Sequence, residues 1–465
     1  MLSLSFTGVL MVGFACVAYT ECAKDYASAL KKSILFFDTQ RSGKLPADNP
    51  ISWRGDSALN DCVTGGWYDA GDHIKFTLPM SASTTILLWS LNRFKDAYSS
   101  SGTLDQMYDM VKWPLDFFLK AWDPTAKTLV AQVGDGNADH GWWGRPEDMT
   151  MARPCTYISA TEKGSDISGG VAAALAAGAI AFKDKGDTAY SSQLLSAAES
   201  LYAFAKANRG ISNASHGLYD SYSEKDEMCE ASLFLHKATQ KSNYLDDAKT
   251  YLENYPPWSF DWENKQAACR QLLYEETQSS VYKDAVVEYL TTWLPGGTLT
   301  YTPCGLAWRI KWGSLREAAN NAFIALVAAE SGIESDKYRK WAVEQINYIL
   351  GDNPHDGGCF SYQVGYGTKY PLHPHHRGSS CPDRPAPCDW NNFNSTAPNP
   401  QVLVGALVGG PDENDIYEDK RDDYVTNEVA TEYNAGFQGA LAAIIHLQSK
   451  NLLPVTNNKC PCTAA

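Results

Sequence analysis

Asp69 and Asp72 stand three residues apart in the stretch Gly65-Gly66-Trp67-Tyr68-Asp69-Ala70-Gly71-Asp72-His73. Two carboxylates this close can grip one water, and their repulsion drives their pKa values apart. The same pattern also suits a turn that uses Asp and Gly for backbone geometry, or a calcium loop. A third acid, Glu428, is followed by the apolar pair Val429-Ala430. A desolvated Glu keeps its proton to higher pH and can give it to a leaving group. The charges before it, Glu418 to Asp423, are also compatible with a solvated face or with acids favouring a helix N-terminus.

The segment Tyr370-Pro-Leu-His-Pro-His-His-Arg377 gathers His373, His375 and His376. No adjacent Cys or Glu completes a metal set of usual spacing, so hydrogen bonding to sugar hydroxyls or to a carboxylate is the favoured use. The chain has 14 Trp and 25 Tyr. Trp67, Trp142, Trp143, Trp308, Trp312 and Trp390 fall in loop-like segments and are the candidates for stacking on the apolar faces of sugar rings. Trp89 and Trp341 lie in helical patterns and are expected in the core.

Helical periodicity must position these groups. It predicts helices over 26–39, 79–97, 104–121, 168–183, 189–207, 225–239, 243–253, 265–276, 280–292, 314–331, 335–350 and 428–449. Several are dominated by Ala, which has the best helix propensity and lets helices approach closely. Strand signals are few and short. A run of helical pairs with no strict repeat suggests a bundle or toroid more than a solenoid. The gaps 40–78, 122–167, 293–313 and 351–427 are long and rich in Gly, Pro, Trp, Tyr, His and Asp. Long ordered loops in a compact domain are usually functional, and these four are expected to gather at one end of the toroid.

The formal net charge is -15 and the pI near 5.1, which argues against nucleic-acid or anionic-membrane partners. Leu2 to Tyr19 form an uncharged apolar run followed by Thr20 and Glu21, read as a cleaved signal peptide over 1–20 and hence secretion. Of twelve cysteines, Cys16 leaves with that segment, and some of the rest should pair. Connectivity does not follow from sequence; the best local pair is Cys381–Cys388, while Cys460 and Cys462 are too close to bridge each other and each needs a distant partner or stays free. Asn213-Ala-Ser215 and Asn394-Ser-Thr396 are glycosylation sequons. No linker-like tract follows the signal, so residues 24–455 read as a single catalytic domain without a separate carbohydrate-binding module, and 456–465 as a short, loosely held tail.

Taken together, the motifs resemble family 9 glycoside hydrolases of the animal endo-β-1,4-glucanase type, from Asp25 to about Leu447. They run in order: Gln40-Arg-Ser-Gly43-Lys-Leu-Pro46, Trp53 to Asp61, Asp69-Ala-Gly-Asp72, Arg145-Pro-Glu-Asp-Met149, Pro374-His-His-Arg377, and Asp419, Tyr424, Glu428, Ala430 and Asn434 at the spacing of the family's second signature. The resemblance implies an all-α (α/α)6 barrel and a secreted, monomeric enzyme cutting internal β-1,4-glucosidic bonds of cellulose and related β-glucans with inversion. Glu428 would be the general acid, Asp72 the general base and Asp69 its partner on the water, with acid and base roughly 6.5–9.5 Å apart. His375 and Asp419 complete the expected catalytic set; Arg377, His140, Trp312, Tyr424 and Trp262 are the expected substrate contacts. No cofactor is required for the chemistry. Some relatives carry a structural Ca²⁺, for which Asp226, Glu227 and Glu263 are the candidate ligands; Glu263 stands where the family has Asp, one methylene shorter. The stretch Asp61 to Gly65 is shorter than in many relatives, which would alter the groove and not the chemistry. A binding protein that had lost catalysis would be expected to lack the acid or the base, and both are present.

Overall fold

The computed structural model describes residues 24–462, so the expected signal peptide lies outside the described residues. Among them are twelve helices of ten residues or more. They are α1 (Tyr26–Thr39), α2 (Thr77–Arg93), α3 (Leu104–Ala121), α4 (Ser165–Lys185), α5 (Thr188–Ala207) and α6 (Lys225–Thr239). The second half holds α7 (Ser242–Tyr251), α8 (Gln266–Thr277), α9 (Ser280–Trp293), α10 (Ser314–Glu330), α11 (Ser335–Ile349) and α12 (Thr431–Ser449).

The even-numbered helices form a closed inner ring: each packs on the next, and α12 returns to α2. The odd-numbered helices pack outside them. This is the (α/α)6 barrel. The sequence reason is visible in burial. α2, α4, α10 and α12 are buried on nearly every face, and a helix apolar all round must sit inside. α3, by contrast, has one apolar stripe and a polar face. By length and composition α4 would cross a membrane, yet 94% of its apolar window is buried within the protein. Small residues set the inner spacing: a Cβ on Gly436 of α12 would lie 2.0 Å from Asn320 Oδ1 on α10.

Two of the helix boundaries that differ from the periodicity have a visible local cause. The expected helix 79–97 ends at Arg93, because Phe94 leaves helical geometry (φ -122°, ψ 38°), and a separate turn of helix covers Lys95–Ser100. The last helix begins at Thr431, not at 428. Glu428 bridges in parallel to His375 and Val429 bridges to Val408, so this stretch is held extended before the helix starts.

The few strands belong to the connections. β1 (Lys75–Phe76), β2 (Trp122–Asp123), β3 (Thr128–Val133) and β4 (Cys155–Ile158) make one antiparallel sheet in which β3 pairs with the other three. β5 (Thr300–Tyr301) and β6 (Ala307–Trp308) make a second. Disulfides join Cys62–Cys155, Cys304–Cys460, Cys359–Cys462 and Cys381–Cys388, while Cys229 and Cys269 are free and buried. The Cys381–Cys388 pair is the local one expected. The described part of the tail, 456–462, is not loosely held: Cys460 and Cys462 each reach a distant partner, and the Asn457 and Cys462 N–H groups donate to Glu344 and Asp352 at 2.9 Å.

Candidate active site

The Asp69–Asp72 turn sits between α1 and β1. Gln40, the residue that ends α1, donates from its side chain to the Ala70 carbonyl at 2.6 Å, and its own carbonyl accepts the Tyr68 N–H at 2.8 Å. Three backbone bonds then stitch the turn and the other two motifs to one another. The Arg377 N–H donates to Gly71 O (3.1 Å), the Thr431 N–H to Asp69 O (2.9 Å), and the His375 N–H to Asn427 O (2.8 Å). Segments more than 300 residues apart therefore meet as one sheet-like knot below a cleft of about 620 Å³.

Asp69 is 5% exposed, and Tyr219 donates to its Oδ2 at 2.5 Å. Its Oδ1 has no partner within the protein and can hold a water. Burial lifts the Asp69 carboxyl well above its usual range and the Asp72 charge adds to this, against the Tyr219 bond. Asp72 is more open and lies 3.4 Å from His140 Nε2. That contact is the first cause of a raised His140 pKa.

Glu428 lines the same cleft. Its Oε2 accepts Trp312 Nε1–H and, at 2.8 Å, the Tyr433 hydroxyl. Burial raises its pKa, and those two bonds oppose the rise. Behind it Arg316 pairs with Glu432 at 2.7 Å and with Glu317 at 2.6 Å. Burial still pushes Glu432 up to about 8.

The three histidines do not converge on a metal. His373 binds Asp419 at 3.0 Å, His376 is buried against Gln40, and His375 Nδ1 lies 2.7 Å from the Arg421 carbonyl. That carbonyl can only accept, so Nδ1 carries the proton and Nε2 is left free as an acceptor. Asp419 itself does not line the cleft. It accepts the Leu372 and His373 N–H groups at 2.7 and 3.0 Å and so fixes the segment that leads to His375. Asn434 holds Leu407 N and Gly405 O beneath the site.

Arg377, His140, Trp312, Tyr424 and Trp262 all line the cleft, with Trp143 and Trp390. Trp312 and Tyr424 face each other with ring centroids 5.7 Å apart. The other loop tryptophans are structural. Trp67 is fully buried on Phe37, Trp308 donates to Pro411 O, and Trp142 packs on His73. Sequence reasoning did not single out Tyr219, Tyr433 or Asp139. Asp139 is buried, pairs with Arg377 and accepts the His73 N–H at 3.4 Å. Its position beside His140 was the available signal. Tyr219 lies 150 residues from Asp69, and nothing in its spacing announces the contact.

The calcium expectation does not fit. Asp226 and Glu227 are buried at the start of α6, but Asp226 accepts the Lys265 backbone N–H (2.8 Å) and Glu227 pairs with the Lys265 ammonium (2.5 Å). That ammonium also bonds the Trp262 carbonyl, and the Glu263 carboxyl takes a bond from the Tyr222 backbone. Lys265 thus supplies the positive charge a cation would bring. Among the described residues, the one group of three His, Cys, Asp or Glu ligand atoms within 4.8 Å of one another is Asp72, Asp139 and His140.

The sequence matches the Glycosyl hydrolase family 9 profile over residues 26–441. It is 42% identical to Endoglucanase A of Bacillus pumilus over 91% of this chain and 66% of that protein, so the chain spans about two thirds of that relative's length. It is 38% identical to Endoglucanase 18 of Arabidopsis thaliana over 94% and 98%. The endoglucanase structure from the termite Nasutitermes takasagoensis superposes with a TM-score of 0.88 at 46% identity, over 92% of this chain and all of that one. Endoglucanase CelQ of Clostridium thermocellum, solved with cellotriose, gives 0.82 at 37%, over 94% and 72%. The chain belongs to glycosyl hydrolase family 9.

Proposed function

We propose that the chain is a secreted, animal-type endo-β-1,4-glucanase that cuts internal bonds of cellulose and related β-glucans with inversion. The observation that carries this is one cleft that holds Glu428 together with the Asp69–Asp72 pair. Burial raises the Glu428 pKa, and Trp312 and Tyr433 fix its carboxyl. Asp72 faces His140 and lies beside the buried Asp69.

Glu428, protonated, gives its proton to the glycosidic oxygen as the bond to the anomeric carbon breaks. Asp72 takes a proton from a water, whose oxygen bonds to that carbon from the opposite face. Asp69 orients the water through Oδ1. His375 Nε2 and the Arg377 guanidinium bind hydroxyls at the cut, and Trp312, Tyr424 and Trp262 stack on sugar rings. No step passes through a metal. A cello-oligosaccharide occupies the CelQ relative, which supports a β-1,4-glucan substrate here. The 46% identity to a termite enzyme supports the animal type, and four disulfides support an oxidising, extracellular setting. The enzyme acts as a monomer on polysaccharide, with no nucleic-acid or membrane partner.

Proton NMR of fresh product from a soluble cellulose derivative tests the mechanism. The α-anomer should appear first; initial β-anomer would refute inversion. Rates on cellulose, mixed-linkage glucan and xyloglucan in the same series decide the preferred β-glucan.

A further inference from the structure

Asp139 is 1% exposed, and its two oxygens are used unequally. Oδ1 takes the His73 N–H and the Arg377 guanidinium, whereas Oδ2 has no partner although it is buried. Asp139 shares with Asp72 and His140 a cluster in which one ligand atom from each lies within 4.8 Å of the others. Two carboxylates and one imidazole are three protein ligands with a fourth position open to water, the usual form of an accessible zinc site. Tetrahedral bonds of about 2.0–2.1 Å put ligand atoms roughly 3.3 Å apart. His140 Nε2 and Asp72 Oδ2 are already 3.4 Å apart, and His140 is exposed on the short helix Gly136–His140. Arg377, which lines the same cleft and pairs with Asp139, opposes the charge of a cation there. An imidazole ligand favours zinc, copper or nickel over calcium or magnesium.

We propose that Asp72, Asp139 and His140 bind a zinc-class divalent cation, and that its occupancy blocks hydrolysis by claiming the Asp72 carboxylate. The binding half stands on geometry alone; the inhibition half rests on Asp72 being the general base. The full chain, freed of metal with a chelator, is titrated with zinc chloride by calorimetry in a non-chelating buffer, while turnover of a soluble cellulose derivative is followed in parallel. One equivalent should bind. H140A should weaken it at least tenfold with an unchanged circular dichroism spectrum, and H216A, which alters the exposed His216–Asp220 pair, should not. Calcium and magnesium should not compete. Saturating zinc should cut turnover at least tenfold, restored by EDTA. Zinc binding that H140A leaves intact, or no binding at 1 mM, overturns the site. Binding that depends on His140 but leaves turnover untouched overturns the inhibition and with it the role given to Asp72. A protein inactive on every glucan before zinc is added would defeat the proposed function, while calorimetry still decides the site.

Discussion

A Cβ at Gly71 would lie 2.1 Å from the carbonyl oxygen of His375. The glycine between the two aspartates is therefore the place where the base-bearing turn lies flat against the segment bearing His375 and Arg377. Any side chain there must push the two apart. G71A is expected to lower kcat/KM by about 100-fold, the usual effect of a misplacement near 1 Å, and to destabilise the fold by about 1–3 kcal/mol. Steady-state kinetics and thermal unfolding measure both; an active, equally stable G71A would refute the close approach.

The two proposed catalytic carboxyls should fail differently. E428Q and D72N are each expected to lose about 10²- to 10⁴-fold in kcat on cellulose derivatives. An aryl cellobioside with a good leaving group needs little help from an acid. It should restore much of the E428Q rate and none of the D72N rate. Equal recovery would mean that the roles are misassigned.

The bonds to Glu428 set its proton affinity. Trp312 and Tyr433 donate to the carboxylate, and both favour the ionised form. The acid must be protonated to work, so activity falls as pH rises through its pKa. Y433F removes one donor, raises that pKa, and should move the alkaline limb of the kcat profile to higher pH. A limb that stays put or moves down would show that another group governs it.

Glu230 on α6 offers a stability test away from the cleft. It is 1% exposed, its Oε1 has no partner, and burial lifts its pKa to about 8. A group raised above its unfolded value near 4.5 contributes its stability fully below that pH and loses it as pH climbs through about 8. E230Q stays neutral throughout. The mutant should gain on wild type by a few kcal/mol between pH 5 and 9 in chemical denaturation, with little difference at pH 4.

Much of this was legible in the sequence because the inner helices announce themselves. Ala-rich runs such as Gly170 to Ala181 bury every face, and all twelve predicted helices have a counterpart within a few residues. The motif carboxylates were legible for the same local reason, being flanked by Gly, Ala and aromatics at fixed spacing. What was hidden depends on contacts across the chain. Tyr219 reaches Asp69 and Trp312 reaches Glu428 only once the ring has closed. Glu428 was read as the first residue of the last helix, because its extended setting comes from pairing with His375, which helical periodicity does not register. The loop tryptophans, alike in residue type, divided by their surroundings: Trp67 is fully buried on Phe37, while the exposed Trp312 lines the cleft. The calcium expectation carried acidic residues forward without weighing Lys265, two residues beyond Glu263.

Every long connection of the barrel carries at least one bridged cysteine: Cys62, Cys155, Cys304, and Cys359 with Cys381 and Cys388. None of the eight bridged cysteines lies within any of the twelve helices. Oxidation state and scaffold formation are therefore separable in manufacture. A bacterial cytoplasm, which keeps thiols reduced, should yield soluble protein with a full helical signature and a slack, poorly working cleft. Refolding yield judged by helix content alone would then overstate the usable enzyme, and the sound release test for such a preparation is a thiol count beside an activity assay.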